Sequence, residues 1–221
     1  MARIIAIANE KGGVAKTTTT ASLGGALVER GQEVLLIDLD PQANLTLALG
    51  IGPDQVEHSV ADLLLSANSP LSVSRETTLA GLDLIPANAE MTLAERFLPI
   101  RADYKNILKN SLNDLMMYDT ILIDCPPALG SITQNALVAA DLLIIPTQPE
   151  YFSAHGLRSM MGLVTDLRNH ENPTLQYRIL VTMLDIRLSA HKLIHRQLKR
   201  TLGTSVFDSV IQIDSKLRDC T

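Results

Sequence analysis

Residues 10 to 20 read Glu10-Lys11-Gly12-Gly13-Val14-Ala15-Lys16-Thr17-Thr18-Thr19-Thr20, and no other stretch restricts the architecture of the chain so tightly. A short apolar run, Ile4-Ile5-Ala6-Ile7-Ala8, leads into it, and a segment of helical composition, 21–30, follows. Strand, glycine-bearing turn and helix, in that order, is the setting of a phosphate-cradling loop. Consecutive backbone N–H groups in such a loop form a concave anion site, and the helix adds the positive end of its dipole. Lys16 is then placed to reach terminal phosphates, and the Thr17 hydroxyl to ligate Mg²⁺. The general pattern G-x-x-x-x-G-K-[ST] meets Glu10 at its first glycine and Ala15 at its second. The variant K-G-G-x-G-K-[ST] fits except at Ala15. The competing reading is a glycine-rich turn with incidental lysines.

After the loop, residues 17–30 carry Leu23, Ala26 and Leu27 at helical spacing, with Gly31 as the cap. The continuous apolar run 33–38 suits a strand buried on both faces of a parallel sheet. It delivers Asp38 and Asp40 at its carboxyl end, where open α/β sheets bind their ligands. Carboxylates there can hold Mg²⁺ through its water shell or orient an attacking water; the alternative is a polar turn broken by Pro41. A second buried strand, 118–124, ends in Asp124, which can take Mg²⁺ from the other side. Short helices are expected at 60–65 and 91–98, with a strand at 82–86 between them. A helix is expected over 104–117, with Met116 and Met117 in the core. Next come helix 131–140 with Ser131 as N-cap, strands 142–146 and 178–182, helix 189–202 and a strand-like 210–213. The sum is an α/β fold, a doubly wound, mostly parallel sheet with helices on both faces, in one domain over 1–221. On helix 189–202, Lys192, Arg196, Lys199 and Arg200 make a basic stripe, either a solvated face or a phosphate-backbone contact.

Composition narrows the function. Aromatics are 3% of the 221 residues, too few for base-stacking platforms, and the net charge of −5 opposes coating nucleic acid with the whole surface. Cys125 and Cys220 make no metal spacing and no disulfide framework, which suits a reduced cytosolic protein. A thiol role for Cys125 beside Asp124 is the minor alternative. The first strand starts too early for a signal peptide, and no apolar run is long enough to span a membrane.

Three motifs in order carry a family resemblance: the loop at 11–17, Asp38-Leu39-Asp40-Pro41-Gln42, and the apolar run ending Asp124-Cys125-Pro126-Pro127. Together they resemble the deviant Walker A ATPases of the ParA/MinD family, of P-loop NTPase type, and the ParA/Soj branch in particular. That resemblance implies ATP and Mg²⁺ as cofactors. It implies nucleotide contacts at Lys11, Gly12, Gly13, Val14, Ala15, Lys16, Thr17 and Thr18, and near the base at Pro149, Met183 and Asp185. It assigns catalysis to Lys11, Lys16 and Asp40, the last as water-activating aspartate, and the metal to Thr17, Asp40 and Asp124. Lys11 would reach across an ATP-bound homodimer to the partner subunit's phosphates. The same resemblance implies nonspecific DNA binding through Lys216 and Arg218, a ParB-like activator, slow hydrolysis without that partner, and no membrane attachment. Localisation would be cytoplasmic, on the nucleoid when ATP is bound. Family members usually continue for a few tens of residues beyond this length and end in a helix. Alternatives within the fold are MinD-like or other cargo positioning. A nucleotide-binding scaffold with little hydrolysis is a third reading, motivated by Ala15: a left-handed backbone there costs about 1–2 kcal/mol.

Overall fold

In a computed structural model of the chain, which describes residues 2–113, 115–150 and 153–214, the apolar runs that end in Asp38 and Asp124 are strands buried at every position. The elements in order are β1 (Arg3–Ile7), α1 (Lys16–Val28), β2 (Val34–Asp38), α2 (Asn44–Ala48), α3 (Val60–Ser66), α4 (Pro70–Val73), β3 (Arg75–Glu76), β4 (Leu82–Ile85), α5 (Met91–Phe97), α6 (Ile107–Leu112), β5 (Thr120–Asp124), α7 (Ser131–Ala139), β6 (Leu142–Thr147), α8 (Ser153–His170), β7 (Gln176–Leu184), α9 (Ser189–Leu202) and β8 (Val206–Gln212). Among the described residues one eight-stranded sheet runs β3-β4-β2-β5-β1-β6-β7-β8. Only β3 is antiparallel to its neighbour.

Alternation along the buried strands divides the core. Ile5, Ile7, Val34, Leu36, Leu84 and Leu122 face α1, against Leu23, Leu27 and Val28. Ala6, Leu35, Ile37, Ile121, Ile123 and Ile145 face the other layer, which holds residues of α3, α5, α6, α7 and α8. Successive side chains of a strand point to opposite faces, so one apolar run builds both layers. Gly24 sets the approach of α1: a Cβ there would lie 3.0 Å from a Leu36 methyl.

The chain winds outward from β1 to β2 and β4, then returns through β5 and crosses to β6, β7 and β8. The reversal falls at β1, where crevices open at strand carboxyl ends. The loop after β1 therefore lies between the ends of β5 and β6.

Several local expectations are corrected. The helix expected over 104–117 is a 3₁₀ turn at Tyr104–Asn106 followed by α6, which ends at Leu112. Leu115 remains buried, but Met116 and Met117 are 79% and 59% exposed and are not core. Ser131 is the first residue of α7 rather than its cap; Gly130 precedes the helix, and the Ser131 hydroxyl donates to the Glu95 carbonyl. Helix α8 was not anticipated.

Candidate nucleotide and metal site

Loop 8–15 is held from outside by its carbonyls. Gly13 O accepts from Gln148 Nε2 at 2.8 Å, Val14 O from Thr182 Oγ1 at 3.0 Å, and Ala15 O from the amide and hydroxyl of Thr19. Lys11 O accepts from Lys16 Nζ at 3.2 Å. Asn9 pins the entry, donating to Pro146 O and accepting from the Lys11 amide. With the carbonyls so engaged, the amides of Gly12, Gly13, Val14, Ala15 and Lys16 take no acceptor among the described residues. Five consecutive free donors at the start of a 13-residue helix form an anion cradle.

Two residues bend the backbone into that shape, Gly13 at φ 69° and Ala15 at φ 66°, ψ 37°. Both are left-handed, the conformation glycine adopts without strain. Alanine therefore occupies the position where the variant pattern K-G-G-x-G-K-[ST] carries its third glycine.

Lys16 is only 7% exposed; burial lowers its pKa, and the nearby Asp124 and Asp40 oppose that shift. Thr17 Oγ1 donates to Asp124 Oδ2 at 2.7 Å, and Thr20 Oγ1 reaches Asp124 Oδ1 at 3.4 Å. Burial pushes the Asp124 carboxyl up to about 8, and the charge of Asp38 adds to the shift. The Asp124 carboxyl and the Thr17 hydroxyl bonded to it are oxygen donors of the kind a hard divalent cation takes, and such a cation would favour the ionised carboxylate that burial opposes.

Asp38 serves another purpose. Its Oδ2 accepts from both the amide and hydroxyl of Thr46, and its Oδ1 from the Asp40 amide. Thr46 Oγ1 in turn accepts from the Ala87 amide. Asp38 thus ties the end of β2 to α2 and to the segment after β4, and burial lifts its pKa to about 6. Asp40 is 8% exposed and accepts from the Gln42 amide at 2.9 Å. Cys125 is 1% exposed, and burial pushes its thiol up, which opposes a reactive role.

Lys11 lies on the rim, its side chain 36% exposed. Its Nζ donates to Glu150 Oε2 at 2.6 Å and to Gln148 Oε1 at 2.9 Å, so it faces its own chain. Gln148 also donates to Met183 Sδ. It thereby joins the loop, Lys11 and the end of β7. The resemblance placed only the neighbouring Pro149 near the base; Gln148 and Asn9 belong to no spacing pattern and were not found from sequence.

Met183, at φ 52°, lines a cleft of about 600 Å³ with Ala15, Thr18, Leu23, Leu180 and Ile213. Pro149 is buried in the loop that carries Gln148 and does not itself line the cleft. Asp185 is clamped by Arg187 through two side-chain bonds of 3.0 and 2.8 Å and by the Arg187 amide at 2.9 Å, which lower its pKa to about 2. The structure thus brings residues 11–17, Asp40 and Asp124 to one edge of the sheet. Lys216 and Arg218 lie outside the described residues.

A family model described as an AAA domain matches residues 2–177. The sporulation initiation inhibitor protein Soj of Bacillus subtilis is 39% identical over 221 residues, covering 99% of this chain and 87% of its own length. The chromosome partitioning protein ParA of Caulobacter vibrioides is 39% identical over 95% of this chain and 80% of its own. A cobyrinic acid a,c-diamide synthase from Mycobacterium smegmatis, solved with an ATP analog and magnesium, superposes with a TM-score of 0.86. It is 39% identical and covers 91% of this chain and 83% of its own.

Proposed function

Because this chain belongs to the ParA/Soj-type partition ATPases, we propose that it is a Mg²⁺-dependent ATPase that dimerises on ATP, binds DNA without sequence preference and is stimulated by a ParB-like partner. One observation carries the reading: five consecutive amides, from Gly12 to Lys16, with no acceptor among the described residues, beside a buried lysine and a threonine–aspartate pair. Phosphates satisfy such amides. Residues 1–221 act as one ATPase domain.

The loop amides, with Lys16 and Thr18, hold the phosphates of ATP. Thr17 and Asp124 hold Mg²⁺, with Asp40 beside them. When bound, Mg²⁺ neutralises charge on the phosphate oxygens. Asp40, fixed by the Gln42 amide, orients the attacking water. Lys16 stabilises charge on the transferred phosphoryl. Lys11 leaves Glu150 and Gln148 to reach the partner subunit's phosphates, so dimerisation completes the site. The base enters the cleft beside Met183, with Pro149 and Asp185 close by. DNA contacts fall to Lys216 and Arg218, and ATP-bound protein gathers on the nucleoid within the cytoplasm.

The test is binding to nonspecific duplex DNA at moderate salt with ATP, ADP and no nucleotide, alongside a Lys216→Ala/Arg218→Ala protein. ATP-dependent binding weakened by the double change is expected. Equal binding in all three states would sink the switch. Partner-stimulated hydrolysis lost in Asp40→Ala would exclude a scaffold that binds without turnover. The Mycobacterium smegmatis likeness supplies a second reading, ATP-dependent amide synthesis. That reading requires ADP formation to depend on a nitrogen donor and a corrinoid acid rather than on DNA and a protein partner.

A further inference from the structure

Helical threonines in this chain return their hydroxyls to their own helix at several places. Thr19 Oγ1 donates to Ala15 O at 2.6 Å, and Thr165 Oγ1 to Met161 O at 2.9 Å, the local outlet a helix offers. Thr46, buried in α2, does not. Its hydroxyl leaves the helix in both directions, donating to Asp38 Oδ2 at 2.7 Å and accepting from the buried Ala87 amide at 3.0 Å. Asp38 ends β2 and Ala87 follows β4, so one side chain joins three elements that only the folded chain brings together.

What depends on that junction is the seat of Asp40. Helix α2 is five residues long and has no side-chain cap at Ala43. The Thr46 amide finds its acceptor in Asp38 Oδ2 at 2.9 Å instead, so a carboxylate of β2 caps the helix from outside. So short a helix has little stability of its own. Asp38 Oδ1 meanwhile accepts from the Asp40 amide at 3.1 Å. The other bonds of the turn, among the described residues, run within it or into α2: Gln42 and Ala43 donate to Asp40, and Leu47 to Ala43. They shape the turn without deciding where it stands. The Leu39 amide, on Asp124 O at 2.9 Å, anchors one side of it, and the Thr46–Asp38 pair anchors the other.

We propose that Thr46 is a positioning residue for ATP hydrolysis, holding Asp38 so that Asp40 keeps the place from which it orients the attacking water; the inference rests on the ATPase reading above. Among the described residues Thr46 bonds to Asp38, Ala87 and its own segment, and not to loop 11–17 or Asp124. Its loss therefore falls on the rate of the hydrolytic step and not on nucleotide binding. That step is steep in distance, since a misplacement of about 1 Å costs on the order of a hundredfold. The competing role is structural: Thr46 satisfies the Ala87 amide, packs α2 and affects stability alone.

The test compares Thr46→Val, which keeps the shape and removes the hydroxyl, with Thr46→Ser, which keeps both hydroxyl bonds. Single-turnover hydrolysis of Mg²⁺-ATP, ATP affinity and the Mg²⁺ concentration at half-maximal rate are measured on the whole chain. Thr46→Val should hydrolyse at least about tenfold more slowly, with both affinities within about twofold of wild type. Thr46→Ser should recover most of the rate. Thr46→Val also strips the buried Ala87 amide of its acceptor and loses stability, so Asn172→Ala serves as the control. Asn172 donates to the carbonyls of Leu137, Val138 and Ala140, just before β6 at the amino ends of the strands. Its loss should lower the unfolding midpoint and leave the rate unchanged. Amide exchange adds a readout independent of turnover: the Asp40 and Ala87 amides should exchange faster in Thr46→Val than in Thr46→Ser. A Thr46→Val rate equal to wild type, a serine variant as slow as the valine one, or a loss carried by Mg²⁺ affinity would each overturn the proposal. A wild type that binds Mg²⁺-ATP, shows the exchange pattern and never hydrolyses removes the ATPase reading. Normal wild-type turnover with Thr46→Val unaffected removes this one alone.

Discussion

Ala15 is one of four non-glycine residues at positive φ among the described residues. At φ 66° it holds the left-handed turn that opens α1, and its Cβ makes that turn cost about 1–2 kcal/mol. Ala15→Gly should therefore stabilise the protein by about 1 kcal/mol, raising the midpoint of thermal unfolding by roughly 2–4 °C, less what glycine gains in the unfolded chain. A lower midpoint would show that the methyl group has found compensating contacts. If the methyl group crowds the phosphates, the same variant should also turn over faster. Asp124 and Asp38 supply a second prediction. Their folded pKa values, about 8 and about 6, lie above the ordinary carboxyl value, so both take up protons on folding. Between pH about 4 and about 8 the folded state then holds more protons than the unfolded one, and stability must fall as pH rises. In EDTA, the urea midpoint should drop across that window, and Asp124→Asn should flatten the drop. A midpoint that climbs with pH would contradict the burial assigned to these groups. The sequence made Asp124 legible because an apolar strand ending in aspartate is a pattern. It could not reveal that Asp38 spends both oxygens on Thr46 and Asp40, since that depends on where α2 turns back.

Among elements, the segment after β6 controls the rim. Glu150 and Gln148 hold Lys11 in its own chain, yet the ion pair is half in water, and such pairs contribute about 0–1 kcal/mol. Glu150→Gln should leave unfolding stability within about 1 kcal/mol of wild type while tightening ATP-driven dimerisation, because Lys11 is then released at lower cost. Sedimentation equilibrium with a slowly hydrolysed ATP analogue reads this directly; an unchanged or weaker dimer would mean that Lys11 does not cross. Element ends were harder to read than element identities. The spacing of Ile107, Leu108, Leu112 and Leu115 continues to mark burial after α6 has stopped, because Leu115 turns inward from a loop. Periodicity records which side chains face the core, not where the hydrogen bonds end. Met116 and Met117 lie just past that last buried position and stay in solvent.

Across the whole molecule, protection should be uneven, and the site lies on the boundary. Strands β1, β2 and β5 are enclosed by both layers and paired in unbroken register. Strand β8 is the sheet edge, mostly exposed, with register shifts against β7, and it borders the cleft beside Met183. Amide exchange proceeds through openings whose free energy scales with such enclosure. Hence amides of 206–212 should exchange more than about a hundredfold faster than those of β1 and β5. On the proposed binding mode, adding Mg²⁺-ATP should slow exchange at 12–17, where phosphates would accept from the loop amides, and at 183–184, where the base would lie against the cleft. It should leave β3 and β4 unchanged, since they are at the far edge of the sheet. Protection confined to 12–17 would place the base outside the cleft while sparing the phosphate cradle. Protection spread evenly over all strands would mean that nucleotide acts by global stabilisation, and that the carboxyl edge does not move as a local unit.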